Sequence, residues 1–176
     1  NAICGPLRGA ILGGHHQIVQ TLLARGLLIS SADVPGDDMG AALMCCRLND
    51  GNILDLMMPS LKIADLSKAL HLGASAIPRE GAKDVLPLLI AYAKQEDEAR
   101  LQLALSDQAN GGMTPLHLLC SATPMNLVRI AVLLREIDFQ NAEAINAKCG
   151  KKGWTAVMYL VASNSLSADG GQVLDL

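Results

Sequence analysis

His117 and Cys120 stand three residues apart in "GGMTPLHLLC", residues 111–120, a spacing that puts an imidazole and a thiol on one face of a helix. A base beside a thiol is the minimum for cysteine nucleophilic chemistry. The expectation is nevertheless a buried and inert pair, because free cysteine is among the most buried residue types and a buried thiol is not a thiolate. His71 in "KALHLGASA" takes the same reading. Two adjacent pairs, His15–His16 and Cys45–Cys46, suggest metal ligation. Neighbouring helical residues point about 100° apart and do not converge on one ion, and no C-x-x-C occurs, so neither a metal nor another cofactor is expected. Glu96, Asp97, Glu98 and Arg100 read as a solvated helix face or loop, with an acidic contact patch as the alternative. No Gly-rich phosphate loop, no G-x-S-x-G elbow and no paired catalytic carboxylates occur. No catalytic residue and no small-molecule substrate is therefore expected, and the chain reads as a non-enzyme.

The elements that position His117 follow from its neighbours. Thr114 can cap a helix, Pro115 suits the first helical position, and Gly111 and Gly112 supply the turn before it. His117 stands where a side chain can reach back to Thr114, as the acidic residue of a capping box does. Thr123–Pro124 then starts a second helix, with Leu127, Ile130, Ala131 and Leu134 as its apolar stripe. The stretch "GPLRGAILGGHHQIVQTLLARG", residues 5–26, has the same plan: a short helix, a break at Gly14–His15, and a second helix. Ile18, Leu22 and Leu23 recur there at helical spacing, and Gly26 holds the place of a left-handed C-cap.

Composition agrees with helices throughout. Of 176 residues 51% are hydrophobic and 18% charged but only 2% aromatic, which favours thin helices packed closely over a sandwich or a base-stacking platform. The expected class is all-α. A net charge of -3 and a pI near 5.7 argue against nucleic acid and anionic lipid as partners. Apolar stretches such as "DVLPLLIAYA" are too short to span a bilayer, and no basic stretch leads into a signal core, so no membrane association is expected. Five cysteines are an odd number with no disulfide framework, which fits a reducing, intracellular compartment, cytoplasm or nucleus. A start at Asn1 and an end in "GGQVLDL" read as a piece of a longer protein.

The Thr114 segment recurs. "GWTAVMYLVA" at 153–162 keeps its order, "KALHLGASA" at 68–76 keeps Leu70–His71 without the threonine, and "AALMCCR" at 41–47 keeps Leu43 and Met44. On "MTPLHLLC", "GGHHQIVQTLLARG" and the loop "INAKCGKKGWTAVMYL", the chain resembles the ankyrin-repeat family, with its period of about 33 residues and T-P-L-H-x-A signature. The resemblance implies one domain over 1–176, an all-α solenoid of stacked helix-turn-helix units with short β-hairpin-like fingers. Repeats would start near Gly5, Ala41, Lys68, Thr114 and Thr155, the last being partial. Their spacing is uneven across 59–110, an irregular or inserted segment in which 77–110 holds a lengthened second helix or an extra one. Small residues such as Ala10, Gly73 and Ala74 would let neighbouring helices approach closely.

The resemblance also implies a function: binding another protein on a preformed concave face built from the fingers and the first helices. By the family's pattern the partner-facing positions are Asn110, Met113, Ser121 and Ala122 in the fourth repeat. In the fifth they are Lys148, Lys151, Lys152, Trp154, Ala162 and Ser163, and at the first, Leu12 and Gly13. Two outcomes stand for Trp154: it projects as an interface hot spot among lysines, or it folds back onto its own finger. Two other classes stay open. One is an ankyrin-containing part of a larger enzyme or bacterial effector with catalysis in an insertion or neighbouring domain, since such degraded repeats resemble those of ankyrin proteins delivered into a host cell's cytoplasm. The other is a structural spacer.

Overall fold

The computed structural model describes residues 5–26, 40–109, 111–137, 143–150 and 152–167. Among them the chain is all-α, with no strand and a single antiparallel bridge between Ala109 and Met113. No helix of the described residues is long and apolar enough to cross a membrane.

The first pair is α1 (Pro6–Gly13) and α2 (His16–Ala24). Pro6 occupies the first turn, and Gly14, at φ 70°, ends α1 in the left-handed region. On α2 the buried set is Val19 with the partly buried Leu22 and Leu23, an i, i+3, i+4 stripe. Ile18 lies one position off that stripe and is 50% exposed.

The second pair is α3 (Ala41–Leu48) and α4 (Gly51–Met57). Six consecutive residues of α3, Ala41 to Cys46, are buried, so this helix is covered on all sides and its small side chains permit that. Asn49, at φ 47°, turns the chain, and the buried Asp50 caps α4 by accepting from the Ile53 amide.

The third pair is α5 (Leu66–Ser75) and α6 (Val85–Glu96), and here an extra helix follows, α7 (Glu98–Ser106). Of the two outcomes for 77–110, the chain takes the extra helix. Asp97 decides it: its extended backbone interrupts the helix and its carboxylate accepts from the Arg100 amide as the new N-cap. Asp97 is therefore a cap inside the acidic run, and not simply a solvated charge.

The fourth pair is α8 (Pro115–Ser121) and α9 (Leu127–Glu136), followed by α10 (Glu143–Asn146) and α11 (Ala156–Ser167). The start expected at Thr123–Pro124 is displaced: α9 begins at Leu127 because Asn126 supplies the cap, accepting from Arg129 N. The stripe is rotated too. Ile130 and Leu133 are buried with Arg129, whereas Leu127 is 57% exposed and Ala131 faces solvent.

The packing is a two-layer ladder. Helix α1 lies against α3, α3 against α5, α5 against α8 and α8 against α11, while α2, α4, α6 and α9 pack in the same succession. Ala10, Gly73 and Ala74 are all buried, and a Cβ added at Gly73 would come within 2.8 Å of Val85 Cγ2. Two arginines tie successive pairs together. Arg129 of α9 donates to the carbonyls of Gly73 and Ala76 and pairs with Asp84, the N-cap of α6, at 2.7 Å. Arg79 does the same one step earlier, donating to Leu12 O and lying 3.6 Å from Asp50.

Candidate functional site

The loops before α8 and α11 are each held by a histidine of the preceding first helix. In α8 the capping box forms: Thr114 Oγ1 accepts from His117 N, and the Thr114 amide donates to His117 Nδ1 at 3.3 Å. Nδ1 is thus the acceptor nitrogen, and Nε2–H donates to the Trp154 carbonyl at 3.0 Å. His71 spans the ladder at the preceding step, with Nε2 3.0 Å from the Met113 carbonyl. Lacking a threonine at position 68, its Nδ1 turns to Ser67 O instead, at 2.7 Å. Both rings are buried and serve as ties between one helix pair and the next loop.

Neither ring is poised as a base for a thiol. Among the described cysteines, Cys45, Cys46, Cys120 and Cys149 are all buried and in no disulfide. Burial pushes the Cys46 thiol up to about 12 and the Cys120 thiol up to about 11. Cys45 is raised further still, by burial first and then by Cys46 and Asp50. These groups are protonated at neutral pH. Cys4 lies outside the described residues. His16 Nε2 lies 3.2 Å from the buried Asp50 carboxylate, while the His15 ring lies against Gly13, so the two histidines diverge. No group of three or more metal-ligating side chains forms among the described residues.

The fingers are the best-defined surface feature. Ala109 and Met113 exchange two backbone hydrogen bonds, making one tight hairpin-like turn through Gly111 and Gly112, both at positive φ. The second is formed by residues 147–150 and 152–155: Cys149 N donates to Trp154 O and Gly153 N donates to Cys149 O, both at 2.9 Å. The two are joined directly, Gly150 N donating to Gly111 O at 3.0 Å. A Cβ at Gly112 would strike the Gly150 amide, so only glycine permits this approach.

On the second finger Trp154 is half-buried, its ring 5.2 Å from that of Tyr159 on α11 in an edge-to-face arrangement. Lys152 Nζ stands over both, 4.7 Å from the indole and 5.5 Å from the phenol centroid. Beneath them the buried Cys149 Sγ lies 3.4 Å from Tyr159 Oη, and this contact, ahead of desolvation, raises the Tyr159 pKa. Trp154 therefore packs back against Tyr159 of α11 beneath Lys152 and offers a cation-covered ring rather than a bare one.

The remaining candidates spread around this centre. Lys148 and Lys152 are exposed, Met113 is half-buried on the first finger, and Ser121 and Ala122 are half-buried at the end of α8. Ser163 reaches back to donate to Cys120 O, beside the half-buried Ala162. Leu12 and Gly13 are exposed at the far end of the ladder. Asn110 and Lys151 lie outside the described residues. Tyr159 and the arginine ties escaped sequence reasoning, the first because an aromatic on a uniformly apolar helix carries no positional signal, the second because Arg79 and Arg129 occur in otherwise ordinary turn and helix contexts. A cavity of about 120 Å³ is lined by Ala74, Ile77, Leu119, Met125 and Arg129, whose guanidinium is engaged by Asp84 and two carbonyls. No family model, no curated protein and no solved structure matches the chain.

Proposed function

We propose that the chain is an ankyrin-type solenoid that binds another protein along its fingers and first helices. The observation that carries the reading is the ladder itself: two parallel files of helices, with histidines at equivalent positions of α5 and α8 tying each pair to the next finger. Such a stack cannot bury each pair's apolar face alone, so neighbours supply the core and the projecting loops are left for recognition. Their shape is fixed by backbone hydrogen bonds before any partner arrives, which lowers the entropic cost of association.

Two variants of the whole chain test this as bait in affinity capture. Met113→Glu with Ser121→Arg alters the finger and first-helix side, whereas Gln20→Glu with Arg135→Glu alters exposed positions of the second helices. The reading expects a saturable partner that the first variant loses and the second retains. Recovery equal in both, or lost only in the second, would contradict it.

A further inference from the structure

We propose that the finger carrying Lys148 and Lys152 reads carboxylates: it takes a Glu- or Asp-bearing segment of the partner, seating one carboxylate on the Lys152 ammonium that Trp154 and Tyr159 hold in place. This rests on the protein-binding reading and names the chemistry of its partner.

The charge comes first. Lys148, Lys151 and Lys152 fall within five residues, and no acidic residue occurs between Ala144 and Ala168, in a chain whose net charge is -3. Asp107, just before the preceding finger, is engaged by the Ser67 hydroxyl. The finger is thus a cationic tip on an acidic molecule. A phosphate polymer would meet that cation only at one point and be repelled elsewhere, and no series of aromatic platforms lies ready for bases. An acidic protein segment demands only the tip.

Geometry supplies the second argument. A lysine normally loses much rotamer freedom when it engages a partner, but here the ammonium is already held over two rings at 4.7 Å and 5.5 Å. The rings take one side of the ammonium, which has three N–H donors, and leave the solvent side open to a carboxylate oxygen. The finger beneath is fixed by the Cys149–Trp154 and Gly150–Gly111 backbone bonds and by His117. Trp154 is on this account a positioning residue: it aims the cation, and the partner's carboxylate touches Lys152.

The chain's single tryptophan makes the test direct, since its emission reports on this finger alone. The whole chain is titrated with a capped Glu/Asp-rich peptide, its Gln/Asn and Lys/Arg counterparts, poly(U) RNA and phosphatidylserine vesicles, with calorimetry on the same samples. The expected result is a saturable change in Trp154 emission with the Glu/Asp peptide only, weakening as salt is raised. Lys148→Glu with Lys152→Glu should weaken binding by about tenfold or more, and the milder Lys152→Gln by less. In calorimetry Trp154→Leu should weaken binding and flatten its salt dependence, while Trp154→Phe, which keeps a ring face, should not. No binding of the acidic peptide, binding that leaves Trp154 silent, or an equal or stronger response to any other probe overturns the proposal. If that happens while the capture experiment still shows a partner lost with Met113 and Ser121, the tip chemistry is wrong and the protein-binding reading survives; if both fail, both fall.

Discussion

Replacing His117 by alanine removes a fully buried ring that makes contacts in two directions at once. The Thr114 amide loses Nδ1 as acceptor, and an unpaired buried donor costs roughly 1–3 kcal/mol. The Trp154 carbonyl loses the Nε2 donor but keeps Cys149 N at 2.9 Å, so that side costs about 1 kcal/mol or less. Adding the void left by the ring, the loss should be about 3 kcal/mol, which for a chain this size lowers Tm by roughly 6–12 °C. Urea unfolding followed both by circular dichroism and by Trp154 emission is the assay. Because His117 ties the finger to α8, the emission transition should precede the loss of helicity in the alanine variant and coincide with it in the parent. His117→Gln, which can present an amide donor toward the Trp154 carbonyl, should recover part of the loss. A loss in His117→Ala below about 1 kcal/mol would refute the claim that this histidine is a structural tie.

Gly112→Ala should cost roughly 1–3 kcal/mol, because φ is +85° and the new methyl meets the Gly150 amide; an unchanged Tm would show that the two fingers are not in contact. Arg129→Ala should cost roughly 1–3 kcal/mol, because Asp84 loses its cation and keeps only the Leu86 amide while the Gly73 and Ala76 carbonyls lose their guanidinium donors, and Arg129→Lys should restore less than half of that since an ammonium cannot span the same acceptors; full rescue by lysine in a urea melt would count against the bridging geometry. The thiols set a pH dependence: Cys46 and Cys120 stay protonated in the fold up to about 12 and about 11, whereas the unfolded thiols ionise near 9.0. Their contribution is complete below pH 9 and is lost as pH rises above it, by up to about 1.4 kcal/mol per thiol per pH unit, so the urea midpoint should fall between about pH 8 and about pH 10 and fall less in Cys46→Ala; no dependence on Cys46 would argue against its burial.

How much of this was legible depended on whether a residue's role is local. Thr114, Pro115, Gly26 and His117 act within a few residues of themselves, and their cap, first-turn, left-handed and back-reaching roles could be read from spacing. The all-helical class followed from abundant Leu and Ala with few rings. What was missed depends on distant partners. Ile18 and Leu127 belong to helical patterns but lie off the buried stripe, because the face a helix turns inward is set by the helix it packs on. Asp97 and Asn126 outcompeted the expected continuations by capping, a contest between neighbouring starts that periodicity does not register. Trp154 and Lys152 were singled out together as lysines around an aromatic, but their mutual stacking required Tyr159, which sequence did not distinguish from the rest of α11. Arg79 and Arg129 reach back to carbonyls across whole helix pairs, and nothing near them in the chain announces it.

The bond from Gly150 N to Gly111 O places the pitch between adjacent tips in main-chain atoms. Exposed side chains on either loop, Gly112 apart, can then be exchanged without changing how far apart the tips stand. On the proposed protein-binding reading, a new specificity would come from swapping a few projecting residues while the spacing a partner must match stays the same.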